Sequence, residues 1–70
     1  MSKGQLGNTI KVQRAKKNLT QEQLADLVHV TRKTINTVEK GHFVPSTVLA
    51  LKLARALDVT VEELFILSED

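Results

Sequence analysis

Seventy residues of 7.8 kDa hold one domain, and with no cysteine that domain has neither a disulfide framework nor a thiolate metal cluster to brace it. No apolar run exceeds four residues, which excludes a membrane span and a secretory leader core, and two aromatics, Phe43 and Phe65, are too few for a single-strand stacking platform. The net charge of +2 divides unevenly: residues 1–40 carry eight basic and three acidic side chains, residues 41–70 two basic and five acidic, so one surface is suited to a polyanion and the other is not.

In chain order, Met1 to Gly7 holds two of the three glycines and reads as a mobile arm. Asn8 or Thr9 caps a first helix running to Lys17, and Asn18, tolerant of the left-handed conformation, ends it. Thr20 opens a second helix through the capping box Thr20-Gln21-Glu22-Gln23, and Leu24, Ala25, Leu27 and Val28 form its apolar stripe. His29, Val30 and Thr31 make a tight break, with Thr31 the cap of a third helix that reaches Lys40 and is closed by Gly41. His42 to Pro45 form a loop, since a residue before proline resists the helical conformation. Ser46 caps a fourth helix ending near Leu57, with Leu49, Ala50, Leu53, Ala54, Ala56 and Leu57 inward and Val48 and Leu51 turned away. A second box, Thr60-Val61-Glu62-Glu63, starts a short fifth helix on which Val61, Leu64 and Phe65 face inward and Ile66 and Leu67 flank them; Ser68, Glu69 and Asp70 form a frayed acidic tail. No segment reads as a strand. The expectation is an all-α domain of five helices around one core, spanning residues 8–67 between an arm (1–7) and a tail (68–70).

The third helix carries the chemistry. At about 100° per residue, Ile35 and Val38 share one face and point into the core. The opposite face gathers Lys33, Asn36, Thr37 and Lys40, with Arg32 at the amino end. A solvated helix interleaves acids with bases, and this face has none. Two cations, an amide and a hydroxyl are what reading base edges and holding phosphates in a major groove require. Arg14, one turn beyond Ile10 on the first helix, and Glu39, beside the Ile35/Val38 stripe, stand at the edge of the core, where charges rarely stay unpaired; a salt bridge between the two helices is expected, orienting them more than stabilising them.

Gln21–Lys40 resembles the helix-turn-helix of the Cro and phage-repressor class, the xenobiotic-response-element-like regulators. The matching residues are Gln21, Leu24, Ala25, Val28, Val30, Ile35 and Val38, extended by Leu19-Thr20-Gln21, Glu39-Lys40-Gly41, Pro45-Ser46 and the stretch from Ala54 through Leu57-Asp58-Val59 to Val61-Glu62-Glu63-Leu64-Phe65, over about residues 8–66. The resemblance implies a lambda-repressor-like fold with helices 2 and 3 as the DNA-binding motif. It implies base contacts from Arg32, Lys33, Asn36 and Thr37 and phosphate contacts from Gln21, Thr31, Thr34 and Lys40. Lys33 with guanine and Asn36 with adenine are the chemically natural pairs. Two positions depart from the pattern: His29 stands where glycine is usual, and Gln13 where many relatives are apolar.

Presenting two recognition helices one DNA turn apart requires two-fold symmetry, and Leu51, Val61, Phe65, Ile66 and Leu67 offer the surface for a homodimer. The function expected is a transcriptional regulator specific for double-stranded DNA, a repressor binding a palindromic operator as a homodimer in the cytoplasm, at the nucleoid of a prokaryote or phage host, without cofactor, metal or small-molecule effector. The alternative is an antitoxin or adaptor whose main partner is another protein. An enzyme is disfavoured, because His29 and His42 sit in turns and neither phosphate-loop nor nucleophile-elbow spacing occurs.

Overall fold

Local signals for starting and stopping helices account for most of the architecture. The structure, a computed structural model, describes residues 5–68. Its elements are β1 (Gln5–Asn8), α1 (Ile10–Lys16), α2 (Gln21–Val28), α3 (Arg32–Glu39), α4 (Thr47–Leu57), α5 (Val61–Leu64) and β2 (Phe65–Ser68). The Thr20, Thr31, Ser46 and Thr60 side chains each accept the backbone N–H three residues on, and at Thr20 and Thr60 the Gln23 and Glu63 side chains return the bond. Each such cap stabilises its helix by about 1 kcal/mol.

The helix ends share one geometry. Asn18, His29, Gly41 and Asp58 all have positive φ, between 57° and 79°. The next residue then sends its N–H back to a carbonyl five residues earlier: Leu19 to Arg14, Val30 to Ala25, His42 to Thr37 and Val59 to Ala54. Leu19, Val30 and Val59 are thereby returned onto the core, so each turn both terminates a helix and adds an apolar contact.

Ile10, Leu24, Ala25, Val28, Ile35, Val38, Leu49, Leu53, Ala54, Leu57 and Leu64 form the core. α2 packs on α3 and on α4, and α5 closes against α4. Leu27 is 55% exposed and does not join the stripe of its helix: Leu24, Ala25 and Val28 complete the buried face, and Leu27 lies beyond its edge.

The chain ends differ from the all-helical expectation. β1 and β2 pair antiparallel, with Leu6 opposite Leu67 and Asn8 opposite Phe65. Gln5–Gly7, expected in the arm, belong to β1; residues 1–4 of that arm, and Glu69 and Asp70 of the tail, lie outside the described residues. The fifth helix stops at Leu64, where Phe65 turns to φ −116° and ψ 134°, so Phe65, Ile66, Leu67 and Ser68 form a strand. The cause is tertiary. Thr9 donates from its backbone N–H to Leu64 O at 2.8 Å and from its hydroxyl to Glu63 O at 2.9 Å, while Asn8 Nδ2 donates to Val38 O at 3.0 Å. These bonds lay the first residues alongside the last, and the two segments satisfy each other's backbone groups.

Candidate nucleic-acid interface

Two buried anchors orient α3: Ile35 and Val38 are 0% and 1% exposed, and they turn the opposite face outward. Thr31, Arg32, Lys33 and Lys40 are exposed, and Thr34, Asn36 and Thr37 are half-buried along the same surface. The fold therefore brings the seven expected contact residues of this segment onto one side of one helix and its cap. Gln21, the eighth, joins them from the first turn of α2.

The only acid within α3, Glu39, does not face solvent. Its carboxylate receives Arg14 Nε at 2.6 Å and Nη2 at 3.2 Å, with the two side chains 14% and 9% exposed, and Arg14 Nη1 also donates to Leu19 O at 2.9 Å. This two-pronged ion pair joins α1 to α3 at the edge of the core. It also neutralises the negative charge behind the outward face of α3, leaving Arg32, Lys33 and Lys40 to set the potential there.

Gln21 is engaged inside the protein rather than extended to solvent. Its Nε2 donates to Glu39 Oε1 at 3.1 Å and to Asn36 Oδ1 at 3.2 Å, and its Oε1 accepts Arg32 Nη1 at 3.3 Å. The sequence reading, which assigned Gln21 to phosphate, missed this network. Its partners Arg32, Asn36 and Glu39 stand 11, 15 and 18 residues away, separations with no local sequence signal. The hydroxyls of Thr31 and Thr34 lie 3.0 Å apart across the cap. The Thr37 hydroxyl lies within donating distance of the Lys33 and Thr34 carbonyls, at 3.1 and 3.0 Å, so its one proton is spent within the helix and it offers a partner only acceptor lone pairs and a methyl group. Lys33, Thr34 and Thr37 border a shallow depression completed by His42 and Phe43 of the following loop.

The expected dimer residues fall into two groups. Leu51, Ile66 and Leu67 are 56%, 51% and 63% exposed, whereas Val61 and Phe65 pack partly against the core. Among the described residues no group of three His, Asp or Glu side chains could hold a metal ion, and no helix is long and apolar enough to cross a membrane.

Comparison with known proteins agrees with this geometry. The helix-turn-helix family matches residues 10–64. The uncharacterized HTH-type transcriptional regulator YgzD of Bacillus subtilis is 43% identical over 63 residues, covering 90% of this chain and 96% of that protein. The competence pilus inhibition repressor of Acinetobacter baylyi is 31% identical over 65 residues, covering 93% of this chain and 59% of its own length. Among solved structures, the restriction-modification controller protein C.AhdI of Aeromonas hydrophila superposes with a TM-score of 0.72 at 41% identity, over 77% of this chain and 82% of the controller. The capped second helix, the left-handed turn at His29 and the outward cationic face of α3 thus sit in a familiar frame, and the chain belongs to the Cro/C1-type helix-turn-helix family of DNA-binding transcriptional regulators.

Proposed function

We propose that two copies of this chain bind a palindromic operator, each laying α3 in a major groove, and that the bound dimer represses transcription at the nucleoid. The acid-free outward face of α3 carries the reading, because a groove-facing surface needs donors and positive charge, and Glu39 has been neutralised behind it. In this arrangement Arg32, Lys33, Asn36 and Thr37 meet base edges, and Thr31, Thr34 and Lys40 meet phosphates. Gln21 meets phosphate through its backbone N–H in the first turn of α2, since its side chain is already bonded. Repression follows from occupancy, which denies the same base pairs to other proteins, and the Acinetobacter relative is named a repressor.

The proposed dimer seam draws on α4, α5 and the β1–β2 pair and on no residue of α3. Leu6, Pro45, Ala50, Leu51, Val61 and Phe65 line an apolar groove between α4 and the β1–β2 pair. In a strand, alternate residues share a face, so Leu67, opposite Leu6, lies on the Phe65 side, and Ile66 lies on the other. Leu51, Val61, Phe65 and Leu67 thus form one surface, with Ile66 at its rim. Selection of preferred sequences from random duplexes, together with the solution mass, tests the proposal. The expected result is a dyad-symmetric site with half-site centres about 34 Å apart and a mass of twice 7.8 kDa. A single asymmetric half-site bound by a monomer refutes the dimer; no enrichment at all refutes operator recognition.

A further inference from the structure

The left-handed turn at Gly41, with φ 79°, folds the chain back onto α3, and His42 donates its backbone N–H to Thr37 O at 3.0 Å. Phe43 thereby comes to border the same depression as Lys33, Thr34 and Thr37. It is 49% exposed and belongs neither to the core nor to the side chains packed against it, so burial does not account for an aromatic at this position. The hydroxyls beside it are engaged within the helix. That of Thr37 lies against the Lys33 and Thr34 carbonyls, at 3.1 and 3.0 Å, and that of Thr34 lies 3.0 Å from the Thr31 hydroxyl. The surface left to a ligand is mostly carbon: the Phe43 ring, threonine methyl groups and the stem of Lys33, with His42 exposed beside them.

Resting on the DNA-reading role proposed above, we infer that this depression seats the C5-methyl group of a pyrimidine and that Phe43 is the residue that makes it selective. Base pairs display N7, O6, O4 and amino groups in the major groove, all of which need a hydrogen bond once stripped of water, and one apolar group, the C5-methyl of thymine. A carbon-lined hollow suits only the last. Cytosine has a bare hydrogen at C5 and leaves the hollow unfilled, whereas 5-methylcytosine carries the same methyl as thymine. The ligand chemistry is therefore a 5-methylpyrimidine, supplied by thymine in unmodified DNA and by 5-methylcytosine in methylated DNA. Lys33 keeps its ammonium for an acceptor on a neighbouring base, so the methyl contact adds to its contact and does not replace it. It follows that methylating cytosine at this place in an operator tightens binding.

The test uses the full chain, the duplex it enriches from random sequences, and the variant Phe43→Ala. Uracil put in place of each thymine in turn removes the methyl and leaves O4 and the base pairing intact. One thymine in each half-site should lose about fivefold in affinity, the worth of one buried methyl group. At that same place 5-methylcytosine should bind tighter than cytosine by about the same factor, because the methyl group is the same. These two arms need only the wild-type chain, and they separate the two sources of the methyl. In Phe43→Ala both differences should fall below about twofold, while base preferences elsewhere in the half-site persist. An enriched duplex without a uracil-sensitive thymine, or one equally sensitive in Phe43→Ala, overturns the inference and leaves DNA reading intact. A uracil effect without the 5-methylcytosine effect overturns it for methylated DNA. If no duplex is enriched, DNA reading falls and this inference falls with it.

Discussion

Replacing Arg14 by methionine isolates the ion pair that ties α1 to α3. The substitution keeps most of the side-chain volume and removes two bonds to Glu39 and one to Leu19 O. The Glu39 carboxylate, 9% exposed, would keep one protein donor, Gln21 Nε2. Breaking a fully buried pair by removing one partner costs about 3–5 kcal/mol; with this slight residual exposure the cost should be about 2–3 kcal/mol. A domain of 70 residues is stable by roughly 4–10 kcal/mol in total, so the loss is a large share of what holds it folded. Thermal unfolding followed by circular dichroism should show the midpoint falling by roughly 10–20 °C. The double variant Arg14→Met/Glu39→Met should recover to within about 1 kcal/mol of wild type, because replacing both charges by apolar groups removes the desolvation cost along with the attraction. A drop of less than 3 °C in the single variant, or a double variant as unstable as the single one, would refute the view that the pair is an orienting device whose members are costly only when separated.

Three other outcomes follow from the same geometry. His29 at φ 62° carries a left-handed strain that glycine would lack, so His29→Gly should raise the midpoint by roughly 2–4 °C once the larger unfolded-state entropy of glycine is subtracted, a change that calorimetry would detect. Leu67→Asp places a charge on the apolar surface beside α4; the solution mass should fall to that of one chain and operator affinity should drop, with helical content unchanged. Lys40→Ala should lessen the slope of log affinity against log salt by about one and weaken all duplexes alike, whereas Lys33→Ala should cost roughly 1–3 kcal/mol and relax preference at one base pair; a loss of base preference in Lys40→Ala would show the two roles to be wrongly sorted.

The helices were legible because their signals are local. Thr20, Thr31, Ser46 and Thr60 are caps whose partner lies three residues away, and the turn residues Asn18, His29 and Gly41 tolerate positive φ, so the short-range sequence contains both ends of the motif. Asp58 forms the same left-handed turn by the same local rule, since aspartate, like asparagine, tolerates positive φ. The strands were not legible for the opposite reason. Four residues at each end carry no periodicity of their own, and Phe65-Ile66-Leu67 continues the apolar pattern of α5; what makes them strands is the bond from Thr9 to Leu64 and the pairing of Leu6 with Leu67, both spanning most of the chain. The outward face of α3 could be drawn from spacing alone, since Ile35 and Val38 fix it. The state of each group on it could not. That Thr37 has spent its proton and that Gln21 is turned inward depend on side-chain bonds made only after α2 and α3 are packed together.

DNA binding as proposed requires the side of α3 turned away from Ile35 and Val38 to be the surface that meets the duplex. Titrating nitrogen-15-labelled protein with an enriched duplex and following the amide signals tests it most directly. Thr31, Arg32, Lys33, Asn36, Thr37 and Lys40 should shift, together with the first turn of α2, while Leu27, Lys52 and Arg55, which border a separate depression without any α3 residue, should stay in place. Shifts confined to Leu27, Lys52 and Arg55, with α3 undisturbed, would contradict it.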